Sequence, residues 1–111
     1  MKVFVKRPGE KLQYREIENT LEALQAAVGG YIETVSVIGQ GLNKHGECIH
    51  PGVCVICNEE GRLNGMEYNC EFDGVYYYGP ILFVGTFDDE FDDFPLNAGA
   101  GRLFLKSMME D

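Results

Sequence analysis

The chain has 111 residues, 45% of them apolar, with nine basic and eighteen acidic side chains and a net charge of −9. That length supports one domain with a core of its own, without metal or disulfide staples. No apolar run approaches the roughly 18 residues of a membrane span, and the sign of the charge argues against nucleic acid as a partner.

Lys2 to Arg7 alternates with Val3 and Val5 on one face, as a strand does, and the start of the chain carries no signal-peptide pattern. A cytoplasmic protein is therefore expected, with its four cysteines as thiols. Pro8-Gly9 is turn chemistry, and Lys11 to Ile17 resumes a strand, so the two runs read as a hairpin. Asn19-Thr20 offers N-cap residues to a helix over 20–28, where Leu21, Leu24, Ala27 and Val28 recur at helical spacing. Gly29-Gly30 ends it. Tyr31 to Ile38 is β-branched and alternating, a third strand.

Gly39 to Gly46 reads as a polar, glycine-rich loop, and Val53 to Cys57 as a central strand, because it is almost unbroken in apolar character. Residues 58–74 read as a turn-rich excursion. Val75 to Phe87 is β-prone, with a bulge or edge expected at Gly79-Pro80, since proline cannot donate to a ladder. Asp88 to Pro95 reads as an acidic loop, and Leu103, Leu105, Met108 and Met109 suggest a short C-terminal helix. The fold expected is one α+β domain over 1–111, a mostly antiparallel sheet of about four to six strands with the 20–28 helix packed on it.

A family resemblance emerges at Asn58-Glu59-Glu60-Gly61-Arg62-Leu63-Asn64-Gly65 with Asn69 beyond, and at Gly29-Gly30-Tyr31-Ile32-Glu33. With the Pro8-Gly9 hairpin, Leu21-Glu22-Ala23-Leu24-Gln25 and Gly79-Pro80-Ile81-Leu82-Phe83-Val84-Gly85, these segments resemble a bacterial and phage family known only as a domain of unknown function. The resemblance covers residues 1 to about 87. It implies a short accessory protein of a phage or mobile element and attaches no activity. The chain departs from the pattern at Cys70, where members usually carry arginine, so any contact made by that arginine is in doubt here.

Several constellations invite chemistry. Cys48, His50, Cys54 and Cys57 fall within ten residues, and Cys54-x-x-Cys57 has zinc-ligand spacing. A zinc knuckle needs a turn between its cysteines, however, whereas Val55-Ile56 continues a strand and sends the two thiols to opposite faces. No metal and no cofactor are expected. Glu59 and Glu60 could serve acid-base work, but adjacent glutamates at a hairpin tip are ordinary turn residues. No nucleophile-base pattern, phosphate loop or dinucleotide fingerprint is present, and the protein reads as non-enzymatic.

The charge is unevenly placed. Residues 1–56 hold six basic and six acidic side chains, whereas 57–111 hold three basic and twelve acidic. Five carboxylates crowd between Asp88 and Asp93, interleaved with Phe87, Phe91 and Phe94. The first functional reading is a protein that engages a host protein with a basic surface through Asp88, Asp89, Glu90, Phe91, Asp92 and Asp93. The second, of another class, is a module sequestering a small molecule or nucleotide. Its pocket would draw on Tyr76, Tyr78, Asn58 and Asn69 with the Gly39–Gly46 loop.

Overall fold

The computed structural model describes residues 1–110. In chain order it contains β1 (Lys2–Lys6), β2 (Gln13–Glu16), α1 (Leu21–Val28), β3 (Ile32–Ile38), β4 (Gly41–Leu42) and β5 (Cys48–His50). Then follow β6 (Gly52–Asn58), β7 (Tyr68–Phe72), β8 (Val75–Tyr78), β9 (Ile81–Phe87), β10 (Glu90–Asp92), α2 (Ala98–Met108) and β11 (Met109–Glu110). The main sheet runs β2-β1-β9-β6-β3, with β10 also paired to β9, and each of its pairings is antiparallel. β11, β7 and β8 make a separate antiparallel sheet, and β4 and β5 a small hairpin.

The apolar run at 53–57 becomes the middle of the molecule. β6 lies between β9 and β3 and is buried along its whole length. A strand covered on both faces has no polar side to show, which is why its sequence does not alternate. One face of the main sheet presents Val3, Val5, Cys54, Ile56, Leu82 and Val84, and α1 closes over it with Leu24 and Val28. Full burial of each of these helix side chains contributes about 1.5–3 kcal/mol. The other face presents Phe4, Val53, Val55, Ile81 and Phe83, and packs against Cys70, Phe72 and Tyr77 of the second sheet, Leu105 of α2 and Phe94 from the segment between β10 and α2.

The ends of α1 follow the residues predicted for them. The Thr20 hydroxyl accepts the Ala23 N–H, and Gly29 takes the left-handed conformation (φ 79°) while donating to Gln25 O. Asn97 caps α2 through the Ala100 N–H at 2.9 Å. Gly101 lets α2 approach β1 closely: a Cβ there would stand 2.5 Å from the Phe4 ring.

Four expectations need correction. The 58–74 stretch contains β7, joined to β8 by the two-residue turn Asp73-Gly74, both at positive φ. Val75 to Phe87 is not one interrupted strand, because the chain leaves the second sheet at Gly79 (φ 77°) and enters the main one at Ile81. The Gly39–Gly46 loop carries β4 of a short hairpin. Asp88 to Pro95 is not irregular: Asp88 (φ 54°) and Asp89 (φ 64°) form a two-residue turn, and β10 pairs back on β9 with Glu90 opposite Phe87. Two successive left-handed residues suit a type I′ hairpin, and aspartate tolerates that conformation better than most residues.

Candidate functional site

The acidic segment is a fixed prong. Gln40 ties its tip to the loop after β3, donating from Nε2 to Asp89 Oδ1 at 3.0 Å and accepting the Asp89 N–H at 3.0 Å. Asp93 Oδ1 accepts the Lys2 N–H at 2.7 Å, and Asp92 Oδ1 accepts the Asp93 N–H at 2.8 Å. None of these bonds comes from a lysine or arginine side chain, so the carboxylate charge faces outward uncompensated by them. Asp88, Asp89, Glu90, Asp92 and Asp93 are all exposed. The interleaved phenylalanines divide their duties: Phe94 is buried against Phe4, Phe91 packs on the α1-side core, and Phe87 stays 39% exposed. Beside the prong lies a cleft of about 260 Å³ lined by Asp89, Glu90, Phe91 and Cys54 with Thr34 and Ser36.

Of the residues predicted to line a ligand pocket, Tyr76, Tyr78 and Asn58 do come together, in a groove of about 150 Å³. That is below the roughly 300 Å³ at which small-molecule pockets usually begin. The Asn58 amide is also occupied, donating to Val28 O at 3.1 Å and accepting the Glu60 N–H at 2.8 Å, so it fastens the end of α1 to the following turn. Tyr76 and Tyr78 share the outward side of β8 with Tyr68 opposite, the rings 6.3 and 5.6 Å from it, while Tyr77 points into the core. The Arg62 guanidinium stands 5.8 Å from the Tyr78 ring.

Asn69 belongs elsewhere. The pairing of β7 with β8 slips between Tyr68 and Cys70, so both Asn69 and Cys70 are buried. A bulge of this kind re-aims a side chain that strict alternation would send outward. The Asn69 amide donates to Lys6 O and to Gly79 O, each at 2.8 Å, which fixes its Oδ1 toward the Lys6 ammonium at 3.1 Å. These two residues line a cavity of about 530 Å³ with Lys11, Lys106, Leu12 and Glu10 among its other walls. The lysines went unnoticed in the sequence because strands and helix bring them together from positions 6, 11 and 106, with no spacing to betray them.

The cysteines divide as strand geometry requires. Cys54 faces the α1-side core and Cys57 the other. Among the described residues no group of three or more His, Cys, Asp or Glu side chains is placed to hold a metal ion. Burial pushes the Cys54 thiol up to about 11, and burial followed by the Glu33 charge pushes Cys57 up to about 11. Both stay protonated near neutrality, where only a thiolate reacts. Iodoacetamide at about pH 8 is expected to label the half-buried Cys48 first and the other three only after unfolding; mass mapping of the labelled sites checks this. The same shifts set an alkaline limit. The unfolded chain sheds these protons from about pH 9, whereas the folded chain holds them to about pH 11, so stability is intact below pH 9 and falls across that window. Urea midpoints at about pH 8 and about pH 10.5 should show the fall, and it should shrink in C54A/C57A.

The architecture defines a small α+β protein built on a mostly antiparallel sheet. Residues 1–100 match the family described as Domain of unknown function (DUF3846), and the chain belongs to that family. The match runs past Phe87, where the resemblance read from the sequence stops. No curated protein and no solved structure matches the chain. No helix among the described residues is long and apolar enough to cross a membrane.

Proposed function

We propose that the protein is a non-enzymatic binding module of a phage or mobile element that engages a basic surface of a host protein through the β9–β10 prong. The observation that carries this reading is the cleft beside the prong. Asp89 and Glu90 line it together with Phe91 and Cys54, an acidic and apolar combination that matches a lysine or arginine side chain with its apolar stem and cationic head. The carboxylates around it are held by backbone pairing and by Gln40, so little conformational freedom is lost when a partner docks. The excess of acid in the second half of the chain supplies steering toward a basic surface.

The test uses an arginine- and lysine-rich peptide as the probe. Asparagine keeps the acceptor oxygens that hold the prong together and tolerates the left-handed turn, so D88N/D89N/D92N/D93N removes four charges with little change of fold. Its association rate is expected to fall about tenfold at low salt, with a flatter salt dependence. E59Q/E60Q/E67Q/E71Q removes the same charge elsewhere and should slow association much less. Equal slowing in the two variants would mean that only net charge matters, and would overturn the proposal.

A further inference from the structure

We propose that the cavity around Lys6 is a binding site for a small organic phosphate. Lys6 is only 9% exposed. Its ammonium donates to two neutral oxygens, Asn69 Oδ1 at 3.1 Å and Arg7 O at 3.0 Å. An ammonium has three donors, and a buried charge is retained where something opposite in sign compensates it. Among residues 1–109 no carboxylate accepts a hydrogen bond from it.

The rest of the wall has the same sign. Lys11 and Lys106 add two exposed ammoniums, and the Glu10 carboxylate, the only one among the described lining residues, already accepts from Gln13 through its Oε1 at 3.2 Å. Three of the nine basic side chains of a strongly acidic protein thus converge on one cavity. Lysines without an arginine fork favour a compact, multiply charged oxyanion over a planar carboxylate. The volume of about 530 Å³ exceeds what a bare phosphate fills, and lies within the roughly 300–1,000 Å³ of small-molecule pockets. Leu12 and Met109 offer apolar surface for the organic part.

The walls come from elements that cannot drift apart independently. Lys6 ends β1, Gly9 and Glu10 belong to the turn closed by the Glu10 N–H to Arg7 O bond at 3.1 Å, and Asn69 is clamped on the bulge of β7. Lys106 arrives on the last turn of α2, and Met109 follows as its C-cap at the start of β11. None of these residues belongs to the acidic prong, so this site stands or falls separately from the basic partner proposed above.

Isothermal titration with ribose 5-phosphate, inorganic phosphate and ribose tests the assignment. Ribose 5-phosphate should bind saturably and more tightly than inorganic phosphate, and ribose should not bind. Lys11 and Lys106 are exposed, so K11Q/K106Q should fold normally and weaken ribose 5-phosphate by at least about tenfold, while K44Q, outside the cavity, should leave it unchanged. K6M should abolish binding, and the double variant decides the matter if K6M fails to fold. Absence of ribose 5-phosphate binding, an unchanged affinity in K11Q/K106Q, or equal affinity for ribose or inorganic phosphate would overturn the proposal.

Discussion

Phe83→Ala is expected to lower the unfolding free energy by about 3–5 kcal/mol, the range for removing a fully buried aromatic ring. Phe83 is inaccessible to solvent, sits opposite Phe4 on β1 and Val55 on β6, and meets Phe72 of the second sheet with ring centroids 4.8 Å apart. It therefore joins three strands laterally and two layers vertically. Because neighbouring strands fix the backbone on both sides of β9, the void cannot close by local collapse, and the upper part of the range applies. A protein of this size holds about 5–15 kcal/mol in all, so the variant should remain folded but melt far earlier. Leu103→Ala is the control: this residue is 73% exposed on α2, and its loss should change stability by less than about 0.5 kcal/mol. Urea denaturation of both variants measures the difference.

Asn69→Ala should cost about 2–4 kcal/mol, although it deletes only a small polar group. Three hydrogen bonds are lost together: those donated to Lys6 O and Gly79 O, and the one accepted from the Lys6 ammonium. The last matters most, because the ammonium is left buried with only the Arg7 O bond still described for it among residues 1–109, and an undersolvated charge is costly. K6M/N69A should accordingly be less destabilised than the sum of the two single variants. A double-mutant cycle by urea denaturation reads that coupling directly, and additive losses would show that the pair does not act as a unit.

The parts of the fold that were legible in the sequence are those in which one local signal dominates. The continuous apolar run at 53–57 could only be a strand covered on both sides, and Thr20 with Gly29 bracketed a helix through its caps. The strand β7 was hidden for an identifiable reason: the bulge at Asn69 sends two successive residues inward and breaks the alternation that marks a strand. Asp73-Gly74 nevertheless carries the strongest short hairpin signal, and given its due it would have located both β7 and β8. At Asp88 to Asp93 crowded charge obscured a simpler pattern, in which two aspartates make the turn and Glu90 and Asp92 point outward around Phe91.

The candidate sites were less legible than the fold. The acidic prong could be located by composition alone, but its rigidity and its cleft depend on Gln40, 49 residues away. Tyr76, Tyr78 and Asn58 share a groove, yet hydrogen bonding commits Asn58 to structural work. Asn69 was singled out in company it does not keep. Lys6 and Lys106, which line the same cavity, come from the two ends of the chain, and such a convergence leaves no trace in sequence spacing.

The prong as the docking surface is tested most directly by mapping where a basic probe lands. Titrating the isotopically labelled protein with the arginine- and lysine-rich peptide should shift backbone amide resonances at Thr34, Ser36, Gln40 and residues 86–93, the surroundings of the Asp89–Glu90 cleft. Shifts centred instead on Tyr68, Tyr76 and Tyr78, or spread evenly over the acidic surface, would contradict it.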